Sequence, residues 1–229
     1  MLALVAAEAR EFAGLLRHCE QVARLNWPLD FARTVRLNGR PVVLAANGPG
    51  PKLAARAAEV IKEHQELEGL VSIGFCGALS PALRACDVFV ADELHDVAHA
   101  PSVARSQSCQ RTTGKLLSID RVATTAEEKR TLFEQTHAGA IEMEAAGLAA
   151  KAHQWKIPFY AVKIVTDTAS ETFPLDFNRL RNPEGRFSRA KIMAAALRRP
   201  SAFPALLKLN RRCNLAAQTL GDFLADARF

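Results

Sequence analysis

PVVLAANGPGPKLAARAAEVIKEHQELEGLVSIG, residues 41–74, reads as a strand, a helix and a second strand in succession. Val42-Val43-Leu44-Ala45-Ala46 is a continuous apolar run, as expected of a strand covered on both faces. The turn Asn47-Gly48-Pro49-Gly50 leads into a helix over Lys52–Glu66, and another apolar strand follows over Gly69–Gly74. The alternation continues outward. Strands are expected at Leu2–Ala7, Pro41–Ala46, Val88–Ala91, Lys115–Ser118, Ala138–Met143 and Pro158–Val165, and helices at Ala9–Ala23, Glu144–His153, Arg189–Leu197 and Pro204–Ala225. The pattern predicts an α/β fold: a three-layer sandwich with a central mixed, largely parallel sheet flanked by helices. His99–Gly114, rich in Ser, Gln, Arg and Thr, reads as a surface loop. Glu171–Phe187 reads as a loop leading to a basic helical pair, so residues 1–229 are expected to form one domain whose part 178–229 is helical and basic.

Composition narrows the class. Of 229 residues, 49% are apolar and 24% charged, which excludes a disordered or fibrous chain and allows a sizeable core. No apolar run approaches the roughly 18–20 residues that span a bilayer. MLALVAAEAR reads as a first strand rather than a signal peptide. Five scattered cysteines, odd in number and without a CxxC pair, suit a reducing cytoplasm and argue against a disulfide framework or a zinc site. His95 and His99 lack a nearby third ligand, so no metal is expected.

Net charge is +6, and its placement matters more than its size. Between Arg179 and Arg212 stand ten Lys or Arg against one acid, Glu184, a local +9 that leaves about −3 for the remainder. Such a segment faces water, anionic lipid or nucleic acid. It carries no nucleic-acid reading motif, and its Phe residues precede loops rather than form a stacking platform, so a nucleic-acid partner is not expected. A non-enzymatic binding module acting through this segment is the alternative class.

Three strand ends carry candidate chemistry. Gly139-Ala-Ile-Glu-Met-Glu-Ala-Ala-Gly147 places Glu142, Met143 and Glu144 where a strand gives way to a helix. Two carboxylates buried there would need partners. In a helix's first turn they would instead simply favour the dipole. Tyr160-Ala-Val-Lys-Ile-Val-Thr-Asp167 ends a strand on an acid, placed to line a ligand crevice or to cap the next segment. Val71-Ser-Ile-Gly-Phe-Cys-Gly-Ala78 ends an apolar strand on glycines that let backbone approach a ligand closely. Neither glycine turn matches a dinucleotide or P-loop fingerprint.

Taken in order, Glu11 after the first strand, the turn at Gly48, GFCGAL at 74–79, IEMEA at 141–145 and VTD at 165–167 resemble the purine nucleoside and uridine phosphorylase superfamily, and within it the methylthioadenosine/S-adenosylhomocysteine nucleosidases. The resemblance covers roughly residues 1 to 170. It implies a nucleoside phosphorylase-like fold, a homodimer, a small-molecule nucleoside substrate and no cofactor, with phosphate as co-substrate if the enzyme is a phosphorylase. Under it Glu144 accepts hydrogen bonds from the ribose 2′- and 3′-hydroxyls, and Met143 packs beside the ribose. Asp167 protonates purine N7, and Glu11 orients or deprotonates water. A carboxylate beneath the sugar and an acid over the base answer the charges that develop as an N-glycosidic bond breaks. Asp167 must then hold its proton near neutral pH, as burial would allow. Glu142, Phe75, Cys76, Gly77, Val122 and Gly48 complete the expected substrate contacts.

Departures from the pattern are equally specific. Val122 and Ala123 stand where the nucleosidases carry a base-stacking Phe-Ile, Lys163 stands where they carry Arg, and Phe75 replaces a small residue. Ser72 occupies the position of a phosphate-binding Arg in the phosphorylases, which favours water as nucleophile; Arg10 keeps the phosphate reading open. The basic part after Asp167 also resembles that of hopanoid-biosynthesis-associated phosphorylase-like proteins. That resemblance implies a hydrocarbon on the ribose 5′-carbon and a contact with the inner membrane face, made by the cations with Phe173, Phe177, Phe187 and Phe203.

Overall fold

The computed structural model describes residues 1–97, 101–102, 104 and 110–229, the side chain of Arg189 aside. Nine strands form one mixed sheet: β1 (Leu2–Ala6), β2 (Glu20–Arg24), β3 (Phe31–Leu37), β4 (Arg40–Ala46), β5 (Gly69–Ala78), β6 (Val88–Leu94), β7 (Thr112–Ser118), β8 (Ala140–Glu142) and β9 (Phe159–Asp167). Their order is β2-β3-β4-β1-β5-β8-β7-β6-β9, and β9 pairs back in parallel on β5. Strands β5, β8, β7, β6 and β9 therefore close into a ring. The parallel strands β4, β1 and β5 extend from it, and the β2–β3 hairpin completes the edge.

Period-two alternation assigns each strand's side chains to two layers. Val43, Ala45 and Val5 pack against α1 (Pro51–His64) and α3 (Ala145–Trp155) through Ala54, Ala57, Ile61, Leu148 and Ala152. Leu4, Val42 and Leu44 face the other way, onto Phe12, Leu15 and the apolar stripe Ala216, Leu220, Phe223 and Leu224 of α5 (Phe203–Asp226). The predicted three-layer α/β sandwich is the observed architecture, completed by α2 (Ala126–Thr136) and α4 (Arg189–Arg198). Among the described residues, no helix is long and apolar enough to cross a membrane.

The structure departs from the sequence reading at four places. Ala9–Ala23 is not a helix but two 3₁₀ turns, Ala9–Phe12 and Leu15–His18, followed by β2. Gly14 lies between them against the backbone of α5, where a Cβ would overlap Ala217 O, so α5 occupies the space a continued helix would need. Strand β3 was not anticipated. It is joined to β4 by Asn38-Gly39 at φ +50° and +76°, the left-handed pair that a two-residue hairpin requires. Helix α2, capped by Thr125 accepting from Glu128 N–H, was also missed. The expected loop His99–Gly114 ends inside β7, which begins at Thr112; much of the rest, His99 included, lies outside the described residues.

One contact between layers bears directly on the site. Gly147 of α3 lies against the first turn of α1, where a Cβ would overlap Pro51 O. This backbone-to-backbone approach brings the Gly50 N–H to Glu144 Oε1 at 3.1 Å.

Candidate active site

The C-terminal ends of β1, β5 and β9, with the end of β8, enclose a cavity of about 240 Å³. Glu11, Phe75, Cys76, Gly77, Val122, Glu142, Met143, Glu144 and Asp167 all line it. Gly48 does not. Its N–H bonds Ala7 O at 2.9 Å, and at φ +98° it turns the chain so that Pro49 reaches the wall.

Three carboxylates gather at one side of the cavity around a single lysine. Glu142 ends β8 just ahead of α3, where Oε2 accepts the Glu144 N–H at 3.0 Å and both oxygens accept the Ala145 N–H. Backbone donors left over at a helix N-terminus are what such a carboxylate satisfies. Lys163 of β9, fully buried, places Nζ 2.8 Å from Glu142 Oε2, 3.6 Å from Glu144 Oε2 and 3.1 Å from Ile73 O. Burial opposes charge on Glu142, but Lys163 and the hydrogen bonds from Lys163, Ser118 and the Glu144 N–H outweigh it and hold the carboxyl below its usual range. Burial likewise opposes charge on Lys163, and Glu142 and Glu144 outweigh that too, keeping it an ammonium. Glu144 is pushed up to about 8: burial is the main cause, and the pull of Lys163 is offset by repulsion from Glu142 and Glu11.

Glu11 completes this group. Its Oε1 accepts the Phe75 N–H at 2.8 Å and its Oε2 accepts the Glu8 N–H at 2.7 Å, inside a capping box that fixes the first 3₁₀ turn. Burial raises its pKa against those two hydrogen bonds. Arg10, which kept the phosphate reading open, lines the rim, its guanidinium 5.3 Å from the centre of the Phe75 ring and 2.7 Å from Glu8.

Across the cavity stands Asp167, whose pKa burial raises against the pull of Lys129. Oδ2 is 2.5 Å from Lys129 Nζ, and Oδ1 lies 2.9 Å from Thr166 Oγ1. Gly77 leaves room for the carboxyl, since a Cβ there would stand 2.8 Å from Oδ2. Burial also pushes the Cys76 thiol well up, with Asp167 adding repulsion.

Sequence reasoning missed three parts of the site. Lys129 lies on α2, a helix the sequence reading did not anticipate, and is fully buried. Arg212 of α5 belonged to the basic segment expected to face water, anionic lipid or nucleic acid, yet it pairs with Glu171 at 2.6 and 2.9 Å and donates to Thr166 O at 2.9 Å, fastening the strand end that bears Asp167. The aromatic surface was the third. Val122 and Ala123 bring no ring, but Phe173, Phe177 and Phe187 form a row of edge-on contacts with centroids 5.3 and 6.1 Å apart, and all three line the cavity. These rings face inward, which corrects their expected place in a membrane interface. Arg181 and Arg186 also turn inward: they pair with Asp120 and Asp30, each at 2.7 Å, and hold the segment 173–187 across the cavity.

The chain matches the phosphorylase superfamily model over residues 2–116 and 97–198. It belongs to that superfamily. Solved structures share the superfamily chain's fold over almost its whole length. One is an S-adenosylhomocysteine nucleosidase from Streptococcus pyogenes in complex with 5-methylthiotubericidin (18% identity, TM-score 0.72, covering 98% of this chain and 94% of that one). A second is the 5′-methylthioadenosine/S-adenosylhomocysteine nucleosidase from Neisseria meningitidis in complex with methylthio-immucillin-A (21%, 0.71, 98% and 96%). A third is a futalosine hydrolase mutant of Helicobacter pylori (16%, 0.70, 98% and 96%). Among the described residues of this superfamily member, no group of three His, Cys, Asp or Glu could hold a metal ion. His95 instead faces Asp96 at 3.2 Å.

Proposed function

We propose that the protein hydrolyses the N-glycosidic bond of a purine nucleoside, an adenosine modified at the 5′ position, and releases adenine. The observation that carries this reading is the division of charge across one cavity: Glu11, Glu142 and Glu144 around Lys163 on one side, Asp167 on the other. As the C1′–N9 bond breaks, the sugar gains positive charge and the base negative charge, and the two sides match those poles. Glu144 accepts the ribose hydroxyls, with Met143 beside the ring. Asp167 gives its proton to N7, and Cys76 and Gly77 border the base. Water held by Glu11 forms the new C1′–O bond and loses a proton to Glu11, so the products are adenine and a free sugar.

The same charges argue for water over phosphate. A phosphate dianion needs unpaired cations or free N–H donors. Here the Phe75 and Glu8 N–H groups already hold the Glu11 carboxylate, and Lys163 is shared by two acids. The nucleosidase and futalosine hydrolase relatives support this direction.

The Phe173–Phe177–Phe187 row, with Ile192 and Leu209, supports an apolar 5′ substituent, ranging from a methylthio group to the hydrocarbon of an adenosylhopane. For the larger group, exposed Met193, Leu197 and Leu207 on α4 and α5, near Arg198, Lys208 and Arg211, favour a contact with an anionic membrane surface. A homodimer and a cytoplasmic setting belong to the same reading. Dimerisation rests on the resemblance, and the setting on the free Cys19, Cys76, Cys86 and Cys213.

The test is free-base release from methylthioadenosine, adenosine, inosine and an adenosyl-lipid in anionic vesicles, each with and without phosphate. Adenine and free sugar at equal rates without phosphate are expected, and the best 5′ group identifies the substrate. Release only with phosphate, as a sugar 1-phosphate, would make the enzyme a phosphorylase. Asp167→Asn and Glu11→Gln should each lower turnover by about 10²-fold or more.

A further inference from the structure

Lys129 is fully buried, and its ammonium is enclosed by one turn of chain. Nζ lies 2.5 Å from Asp167 Oδ2, 2.9 Å from Thr168 O and 3.2 Å from Glu171 O. Three acceptors meet three N–H donors, a match for an ammonium; a neutral amine would leave one acceptor without its proton. The Phe173 ring, itself part of the cavity wall, lies 5.3 Å from the same nitrogen. The turn Asp167–Glu171 is closed by Glu171 N–H to Thr168 O at 3.1 Å and Thr168 N–H to Glu171 Oε2 at 2.8 Å. Arg212 grips it from outside through Glu171 and Thr166 O.

Each cation here has its own acid. Arg212 pairs with Glu171, and the carboxylate partner of Lys129 is Asp167. Thr166 supplies an adjustable partner. Its single hydroxyl hydrogen has two acceptors in reach, Asp167 Oδ1 at 2.9 Å and Cys76 O at 3.2 Å. With Asp167 ionised the hydroxyl donates to Oδ1; with Oδ1 protonated it accepts from Oδ1 and donates to Cys76 O. The site can therefore hold Asp167 in both protonation states without moving heavy atoms.

We propose that Lys129 is a positioning residue for the hydrolysis: it fixes the Asp167 carboxyl against the cavity and stabilises the carboxylate left when its proton passes to the leaving base. The proposal rests on the reading of Asp167 as the acid. A structural lysine would serve equally in either protonation state of Asp167. One that interacts more strongly with the carboxylate than with the carboxyl acts on the step that creates it. The groups facing Asp167 are Lys129 from α2, Cys76 from β5, Thr166 and Glu171 from its own segment, and, from α5, Cys213 and the already paired Arg212.

The experiment compares wild type, Lys129→Met and Lys129→Arg on two substrates: methylthioadenosine, whose base leaves protonated, and 4-nitrophenyl β-ribofuranoside, whose leaving group needs no acid. For Lys129→Met, kcat on methylthioadenosine should fall about 10²-fold with KM within about threefold, while the nitrophenyl riboside changes less than about threefold. Activity requires protonated Asp167 and so falls as pH rises through its pKa. Removing the ammonium should move that alkaline limb up by about a unit or more. Lys129→Arg should restore part of kcat. Equal loss on both substrates with an unmoved limb would overturn the proposal. A readout independent of turnover keeps it distinguishable from the reading beneath it: the Asp167 13Cγ resonance, assigned through Asp167→Asn, should titrate higher in Lys129→Met. An unmoved midpoint overturns the role of Lys129. A moved midpoint in a protein that releases no base from any nucleoside overturns the proposed function instead and upholds the coupling.

Discussion

Glu11 Oε1 occupies the space that a Cβ on Gly74 would fill. Gly74 also sits at φ +124°, a backbone conformation that L side chains rarely adopt. The closeness lets the next residue, Phe75, present its N–H to the same oxygen at 2.8 Å. Gly74→Ala should therefore displace the carboxylate from its cradle. Displacements near 1 Å at a reacting group can cost about 10²-fold in rate, and that is the expected loss in kcat. Activity near wild type, with a lowered melting temperature only, would show that the position of Glu11 does not limit turnover.

Glu144 gives the fold a pH signature. Its folded pKa of about 8 exceeds the unfolded 4.5, so the folded state keeps a proton that the unfolded chain releases. That contribution to stability is fully present below about pH 4.5 and is lost as pH climbs through 8. Glu11 and Asp167, both raised by burial, add with the same sign. Glu142 and Glu171, both lowered, act in the opposite sense and lose their contribution in acid. Melting temperature without ligand should peak in mild acid and decline toward pH 8.5. Glu144→Gln should flatten the decline and match or exceed wild-type stability at pH 8 while losing nucleoside binding. A wild-type profile that rises steadily to pH 8.5 would contradict this charge balance.

Phe177 lies at the middle of the aromatic row, edge-on to both Phe173 and Phe187. If this wall receives the 5′ substituent, Phe177→Ala should lower kcat/KM for methylthioadenosine by about tenfold or more, and for adenosine by less than about threefold. A pocket contact with one small apolar group is worth about 1–3 kcal/mol. Equal losses on the two substrates would move the row to the base side of the cavity.

The site was legible where a strand ended. Apolar runs such as Val42–Ala46 and Val71–Ala78 follow from period, the acids Glu142, Glu144 and Asp167 were singled out by the family resemblance at their strand ends, and the fold brings these strand ends together. The Asn38-Gly39 turn that makes β3 was present in the sequence as well; its flanking Val35, Leu37, Val42 and Leu44 show the alternation of a hairpin. The first 3₁₀ turns could not be read locally. Residues 9–23 carry helix-forming Ala, Leu and Arg, and what breaks them is α5, about two hundred positions further on. Lys129 offered no local sign either, because a lysine in a polar helix looks the same whether its end meets water or a buried aspartate. The same holds for Arg181, Arg186 and Arg212, whose acid partners lie 41 to 156 positions away.

The meeting of Gly14 with Ala217 and Gly221 has a consequence for how the molecule is made. The turn that carries Glu11 is synthesised long before the surface it rests on, which is not complete until residue 226 has left the ribosome. Contacts so far apart in the chain slow folding, because the intervening loop must close before they form. The protein is therefore assembled with the Glu11 turn and α5 as mutual scaffolds. A nascent chain can form the α1 and α3 layer while the Glu11 end of the cavity still lacks its floor, so activity should arrive with α5 rather than grow with chain length.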